Sequence, residues 1–358
     1  MNHDTVEQII NSSQSYLDLS NYKLTEIPNL ILELKNLEYL RLSNNNIKIM
    51  PDFILDLPKL KALDLYNNKI ISLPNLSKLT SLQRLDISHN QIEKLPDLSN
   101  LINLKELNIS YNQIEKLPDL SDLINLEELD ISHNQIEELP DLSNLINLKI
   151  LNVSRNKLKS LPNLSKLISL QRLYISYNQI EKLPDLSNLI NLRELNISHN
   201  RIKKLPNSIG KLKELKELKA SNNFLKTLPD SCTNLTEIYS LDLSYNKFKY
   251  IPSPIKYLFN LKYLYINNNN IKLIPDWICS LTNLYSLCLN NNQIEYLPKI
   301  LVKLILSHKI DLIDLRNNLI INVPKEFLKI KYRRNKLNIK RNLINLDRQV
   351  IPKYLEYS

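Results

Sequence analysis

The chain has 358 residues and a formal net charge of +10, from 47 Lys and Arg against 37 Asp and Glu. Its single Gly argues against a glycine-rich phosphate-binding loop, and its three Cys have no metal-ligand spacing. No stretch approaches the roughly 18 apolar residues of a membrane span and no N-terminal run resembles a signal peptide, so we expect a cytoplasmic protein without a transmembrane segment.

Residues 1–13 carry Val6, Ile9 and Ile10 at helical spacing, which predicts an N-terminal cap on the segment that follows. Residues 14–324 then repeat one phrase, LxxLxLxxNxL, fourteen times. The steps are 22 residues long from Leu65 to Ile197, 23 residues elsewhere, and 26 residues at the last step. Such a fixed period predicts a solenoid with one short strand per turn, folding as one cooperative array. The third apolar residue of the phrase stands at Leu19, Leu42, Leu65, Ile87, Ile109, Ile131, Val153, Ile175, Ile197, Ala220, Leu243, Ile266, Leu289 and Leu315.

Each copy of the phrase predicts a strand, a turn and an irregular return. The alternating apolar residues of LxLxx predict a strand with one buried face. The Asn at the ninth place is interpreted as structural, its amide pairing with backbone groups and with neighbouring Asn side chains. The following xLxxLP segment predicts a 3-10 or short helical connection that returns the chain to the next strand, because Pro has no N–H to donate to a β-sheet. In the middle of the array the Asn residues are Asn90, Asn112, Asn134, Asn156, Asn178 and Asn200.

The C-terminal region continues the pattern in a basic form. Residues 325–347 have Leu337, Ile339, Asn342 and Ile344 at the places that the phrase requires, which predicts a degenerate fifteenth repeat. Residues 348–358 are predicted to close the array. Residues 325–358 hold ten Lys or Arg and three Asp or Glu, which accounts for +7 of the net charge.

The repeated phrase resembles that of the leucine-rich repeat family. The 23-residue copies with LPxxIxxLxxLxxL are similar to intracellular Ras-group proteins, and the run PDLSNLINLKELNISYNQIEKL resembles internalins and phosphatase-regulating repeat proteins. This resemblance implies an α/β solenoid, a horseshoe or arc with a parallel sheet on its concave face, that binds another macromolecule without catalysis. The abundant Asn, Ile, Lys and Tyr have AT-rich codons, which points to a genome such as that of a protist or a large virus.

The last variable place of each predicted strand forms a column that changes character along the chain. The column is Asn in the first repeats and becomes large over six consecutive repeats. We call these six residues the stripe: His89, Tyr111, His133, Arg155, Tyr177 and His199. Tyr and Arg are favoured at interaction hot spots, so the stripe is the candidate partner-binding site. Further candidates are Tyr245 in the same column and Asp86, Asp130 and Tyr174 in the middle column.

A second interpretation of the stripe is that repeats arise by duplication, so that polar side chains recur without taking part in binding.

Catalysis is not expected. His89 and His133 lie two strands apart, roughly 10 Å, which is too far for one metal ion. Ser88 and His89 are expected to be adjacent on one strand, where successive side chains diverge, so they cannot form a nucleophile pair. No cofactor and no metal are predicted.

Three hypotheses of function follow. The first is a monomeric interaction scaffold that docks one protein on the middle of the concave face. The second is electrostatic binding of nucleic acid or an acidic membrane through Lys336, Lys340 and Arg341 in the fifteenth repeat, with nucleic acid not expected as the main partner. The third, phosphatase regulation, is implied by the family resemblance alone.

Overall fold

The structure is a computed structural model that describes residues 8–10, 13–306, 309–329 and 337–343. It divides into two compact units, residues 1–179 and residues 180–358. Within these bounds residues 8–10 are helical, and Ile10 is buried. The cap residue Val6, the basic residue Lys336 and the closing segment 348–358 lie outside the described residues.

The first unit contains eight short strands that pair in parallel and in chain order. Their middle leucines are aligned, Leu85 with Leu107 and Leu107 with Leu129. The alternation inside the phrase thus forms one strand per repeat, as expected. The strands are β1 (Tyr16–Asp18), β2 (Tyr39–Arg41), β3 (Ala62–Asp64), β4 (Arg84–Asp86), β5 (Glu106–Asn108), β6 (Glu128–Asp130), β7 (Ile150–Asn152) and β8 (Arg172–Tyr174).

The second unit continues with seven parallel strands, also in chain order. They are β9 (Glu194–Asn196), β10 (Glu217–Lys219), β11 (Ser240–Asp242), β12 (Tyr263–Tyr265), β13 (Ser286–Cys288), β14 (Leu312–Asp314) and β15 (Leu337–Asn338). The last pairs with β14, and Asn342 Nδ2 donates to the carbonyl of Leu315 (3.0 Å). Residues 337–343 therefore continue the repeat, and the parallel-strand solenoid fold is confirmed.

The returns between strands depend on repeat length. The 23-residue copies carry five-residue 3-10 helices, whereas the 22-residue copies between residues 87 and 197 carry turns. The 26-residue step holds the short helix α1 (Leu301–Leu306). The 3-10 helices are Asn29–Glu33, Asp52–Asp56, Leu76–Lys78, Asn207–Lys211, Asp230–Asn234, Ser253–Tyr257, Asp276–Ser280 and Lys325–Lys329. A difference in curvature between the two kinds of repeat stays a prediction.

The only Gly of the chain lies in one of these 3-10 helices. A Cβ at Gly210 would lie 2.3 Å from the backbone oxygen of Ser231 in the next repeat. Successive 3-10 helices thus pack closely here, and the side-chain-free residue is required by that approach.

We call the Asn residues at the ninth place of the phrase the ladder Asn residues. Their side chains bind backbone groups of their own repeat and of the preceding one. Asn112 Nδ2 donates to the carbonyls of Ile87 (3.0 Å) and Ile109 (3.1 Å), and Asn112 Oδ1 accepts the N–H of Ile92 (3.0 Å). Asn90, Asn134, Asn156 and Asn178 make the same set of bonds. Their amide groups therefore bind the backbone and not one another, which corrects the prediction that neighbouring Asn side chains also pair.

In the described residues no helix is long and apolar enough to cross a membrane.

Candidate functional site

Six of the eight strands of the first unit end at an Asp or Asn whose side chain accepts the backbone N–H two residues further on. Asp86 Oδ1 accepts the N–H of Ser88 (2.9 Å), and Asp130 Oδ1 accepts the N–H of Ser132 (2.9 Å). Asn108, on the strand between them, does the same for Ser110 (3.1 Å). In such an Asx turn the side chain, and not the neighbouring strand, accepts the backbone N–H, so the strand ends after three residues.

This arrangement gives Asp86 and Asp130 local structural partners. The second carboxylate oxygen of Asp86 accepts from Asn108 Nδ2 (3.3 Å), and that of Asp130 accepts from Asn152 Nδ2 (3.0 Å). Both side chains therefore hold neighbouring repeats together. The sequence predicts them as candidate partner contacts and does not predict this structural role.

The stripe lies in the turn after the strand, not on the strand where we expected it. His89 is three residues beyond the end of β4 and has φ 54°, in the left-handed region. Tyr111, His133, Arg155 and Tyr177 have φ between 53° and 56°. The expectation that Ser88 and His89 share a strand is wrong for the same reason.

The left-handed conformation explains the Asn residues that flank the stripe. Asn tolerates positive φ better than residues with bulky side chains. Outside the stripe the column is Asn at seven places, all with positive φ: Asn21, Asn44, Asn67, Asn222, Asn268, Asn291 and Asn317. His also tolerates positive φ, but local backbone preference does not account for the Tyr and Arg residues of the stripe, Tyr111, Arg155 and Tyr177.

In the first unit the stripe side chains form two stacked groups. The ring centroids of His89 and Tyr111 are 4.0 Å apart, and those of Tyr111 and His133 are 3.7 Å apart. Further along, the Arg155 guanidinium lies 4.1 Å from the ring centroid of Tyr177. Because the ring faces contact one another, the polar edges are the parts available to a partner.

Tyr66 extends the stacked group of His89, Tyr111 and His133 by one residue and was missed by sequence reasoning. Its ring meets His89 edge-to-face, with centroids 5.1 Å apart. A signal was present, because Tyr66 stands where neighbouring repeats have Ser43, Ser88 and Ser110. We call the combined set the ring array: Tyr66, His89, Tyr111, His133, Arg155 and Tyr177.

His133 is the electrostatically distinctive member of the ring array. Its Nδ1 is shielded from solvent and has no hydrogen-bond partner. Burial lowers the pKa of His133, and the charge of Arg155 lowers it further, against an opposing effect of Asp130. The imidazole is therefore neutral at physiological pH.

The other predicted residues lie apart from the ring array. His199, in the second unit, has Nε2 3.3 Å from Asn222 Nδ2. Tyr245, in the same unit, is 52% exposed at φ 53°. Tyr174 is half-buried at the end of β8, where other strands have the capping Asp or Asn.

The sheet face of β1 to β6 forms an open groove of about 590 Å³ in the first unit. Arg41 bridges Asp18 (3.2 Å) and Asp64 (3.3 Å) across its first strands, and Arg84 pairs with Glu106 (2.8 Å). Its charged lining is Arg41, Asp64, Arg84, Asp86, Glu106, Glu128 and Asp130. The groove is thus acidic, although the chain as a whole is basic.

The basic end is only partly described. Lys340 is half-buried and its backbone N–H donates to Asn338 Oδ1 (3.3 Å), while Arg341 is exposed at φ 57°, the place equivalent to the stripe. Lys336 lies outside the described residues. Within the part of the chain that the structure describes, no three His, Cys, Asp or Glu side chains are placed to hold a metal ion.

Comparisons with known proteins give one consistent family. The family model described as Leucine-rich repeat region matches residues 4–116, and the model Leucine Rich repeats (2 copies) matches residues 102–144 and 146–188. The model Leucine rich repeat matches residues 190–248, and the model Leucine Rich Repeat matches residues 260–281. No curated protein matches the chain in sequence.

Solved structures agree with the family models. A leucine-rich repeat protein of Leptospira interrogans is 30% identical, with a TM-score of 0.83 over 97% of this chain and 94% of that one. YopM from Yersinia enterocolitica is 26% identical, with a TM-score of 0.68 over 96% and 77%. The ectodomain of the receptor kinase GASSHO1/SCHENGEN3 from Arabidopsis thaliana, in complex with CASPARIAN STRIP INTEGRITY FACTOR 2, is 26% identical, with a TM-score of 0.69 over 93% and 48%.

Proposed function

The chain belongs to the leucine-rich repeat family, and from this premise we propose that it is a non-catalytic binding protein that docks another protein on the ring array. The partner lies along the turns at which the strands of the first unit end. The polar edges of the stacked rings and the Arg155 guanidinium supply its hydrogen-bonding contacts. Tyr and Arg are the residue types that most often dominate such interfaces.

The observation that carries this proposal is the cost of the ring array to the backbone. A left-handed conformation costs a residue with a side chain roughly 1–2 kcal/mol, and Asn bears it best. Three of five consecutive repeats nevertheless place a Tyr or Arg there, at Tyr111, Arg155 and Tyr177, although the chain uses Asn at the same place in seven other repeats. Strain of this kind is retained where it serves binding.

One further observation supports a protein partner, and another supports the cellular setting. The Arabidopsis thaliana ectodomain of similar fold was solved with a bound partner, CASPARIAN STRIP INTEGRITY FACTOR 2. Cys232, Cys279 and Cys288 are all free thiols, which supports a reducing, cytoplasmic setting. A regulatory role towards a phosphatase would be one form of the same activity.

A pull-down from the lysate of the natural cell or host tests the proposal. The bait is the full chain, beside a variant with His89, Tyr111, His133, Arg155 and Tyr177 all changed to Asn. Asn is the better test residue than Ala, because the chain itself uses it at this φ and the fold should be kept. Circular dichroism and the melting temperature establish that the variant is folded.

The matched control is Tyr245→Asn, the same change in the same column outside the ring array. A protein captured by the wild type and by this control, but lost with the fivefold variant, would support the proposal. Equal capture by all three chains would contradict it. Recovery of chiefly nucleic acid by all three would favour the basic end instead, and its salt dependence would measure the phosphate contacts.

A further inference from the structure

A row of exposed isoleucines lies where the chain approaches the strands of the first unit. Each stands four residues before its strand and is 50–53% exposed. The row is flanked by buried leucines, for example Leu101 and Leu104, which supply the core of the same segment. In the first unit the isoleucine row consists of Ile102, Ile124, Ile146 and Ile168; Ile190 stands at the same place in the second unit and is 56% exposed.

Hydrogen bonds between neighbouring repeats hold the isoleucine row in register. Asn125 Nδ2 donates to the carbonyl of Ile102 (2.8 Å), and Asn147 Nδ2 donates to that of Ile124 (2.9 Å). The strands β5, β6, β7 and β8 that follow pair residue for residue. The isoleucines are thus spaced like neighbouring strands, about 4.8 Å apart.

The fold does not require isoleucine at this place. The same position is polar in five other copies, at Lys35, Thr80, Lys213, Thr236 and Thr282, and is apolar at Phe259 and Ile190. A contiguous apolar row on an otherwise polar surface marks an interaction site. A partner that covers this row must present apolar groups at the same spacing. The same row on a second copy of the chain has that spacing.

We infer that the isoleucine row is a self-association surface, on which a second copy of this chain packs antiparallel about a two-fold axis between Ile124 and Ile146. An isologous contact places the same patch on both copies, so the residues that flank the row must be self-complementary. Two columns of exposed or half-buried residues test this. Three residues after each isoleucine stand Lys105, Glu127, Lys149 and Gln171, and two residues before stand Asn100, Asp122, Asn144 and Lys166.

The two-fold axis brings no like charges together. It sets Glu127 opposite Lys149 of the second copy, and Lys105 opposite Gln171. In the other column it sets Asp122 opposite an amide, that of Asn144, and likewise Lys166 opposite Asn100. Glu127 and Lys149 already pair within one chain (2.5 Å), so two copies would join these pairs into one network of four charges.

Registers centred on a single isoleucine are disfavoured by the same residues, and the proposed axis is the one that brings all four isoleucines of the row together in pairs. An axis through Ile124 would set Glu127 against itself, and an axis through Ile146 would set Lys149 against itself. The flanking charges nearly balance, which does not suit an anionic membrane or a nucleic acid. The isoleucine row shares no residue with the ring array, so the self-association and the proposed partner binding can fail separately.

Analytical ultracentrifugation of the full chain over a range of concentrations is the test. The wild type should rise from 42.0 kDa towards twice that mass. The variant Ile124→Thr/Ile146→Thr should associate at least tenfold more weakly while keeping its circular dichroism, because Thr occupies this place in other repeats. Ile71→Thr, which removes an isoleucine that is 54% exposed outside the row, is the matched control and should associate like the wild type.

A charge exchange tests the register. Glu127→Lys alone should weaken association by setting lysines against each other, and Glu127→Lys/Lys149→Glu should restore it. A wild type that stays monomeric at all concentrations, or an Ile124→Thr/Ile146→Thr variant that associates normally, would overturn the inference. An exchange that fails to restore association would overturn the antiparallel arrangement.

Discussion

At the residue scale the ring array combines a backbone cost with a stacking gain. Tyr111 has φ 53° and stacks between His89 and His133. Tyr245 has the same φ, but the described residues place no ring against it. These two tyrosines therefore allow the strain and the stacking to be measured separately.

Changing each of these tyrosines to Asn should have different effects on stability. Tyr245→Asn relieves left-handed strain and should raise the free energy of unfolding by about 1 kcal/mol. Tyr111→Asn relieves the same strain but loses two ring contacts worth roughly 0.5–1.5 kcal/mol each, so it should be neutral or destabilising. Urea unfolding of both variants measures the difference. Equal stabilisation by both changes would show that stacking contributes nothing.

The pKa of His133 predicts a pH dependence of stability. Burial and the neighbouring Arg155 lower this pKa from its ordinary 6.5, so the unfolded chain binds the proton more tightly. The contribution of neutral His133 is complete above pH 6.5 and is lost as the pH falls below it. The unfolding midpoint of the wild type should therefore fall more steeply on acidification than that of His133→Asn. Parallel curves for the two chains would refute this.

The stripe could be located from the sequence, but its conformation could not. Variation in one column marked His89 and its successors, whereas the reason for Asn in the flanking repeats was not recognised. A column of Asn is compatible with a polar strand face as well as with a left-handed turn, and only backbone angles decide between them. Tyr66 was missed because it belongs to the neighbouring column of serines.

At the element scale the period predicted every strand of the array but not where a strand ends. The alternation of apolar residues continues one step past β4 to Ile87, which is buried although the strand stops at Asp86. Burial therefore does not mark the end of the ladder. At β4 the Asx turn of Asp86 does, and it depends on a side-chain hydrogen bond that the alternation of apolar residues does not reveal.

The ladder Asn residues should contribute far more to stability than other bridging amides. Asn134→Ala would leave the buried N–H of Ile114 without its partner, at about 1–3 kcal/mol, and would remove one of the two amide donors to the carbonyl of Ile109. Asn147 also bridges two repeats, but it is exposed and makes one bond, to Ile124, so Asn147→Ala should cost about 1 kcal/mol. Thermal unfolding compares the two variants. Similar losses would contradict the assignment of the Asn ladder as the main polar support of the core.

At the scale of the whole molecule each strand pairs with its neighbours in chain order within its unit. In such an array stability is approximately a sum of terms for single repeats and for adjacent pairs. The period predicted this architecture, because no repeat can bury its apolar face alone. The curvature could not be derived in the same way, since it depends on small rotations between repeats.

Nearest-neighbour coupling predicts that a packing defect stays local. Gly210→Ala would place a Cβ against the backbone of Ser231, and overpacking of this kind costs about 1–3 kcal/mol. Hydrogen exchange should accelerate in the adjoining 3-10 helices Asn207–Lys211 and Asp230–Asn234 and in β10 and β11. Strand β14 of the same unit should keep the wild-type exchange rates.

Lys211→Ala is the matched control, because Lys211 is exposed in the same 3-10 helix as Gly210. It should leave the exchange rates of both regions unchanged. Uniform acceleration from β10 to β14 in Gly210→Ala would mean that this part of the second unit opens as a single cooperative block. A local response would instead show that the repeats transmit strain only to their neighbours, so that binding at one set of turns can be altered without disturbing distant repeats.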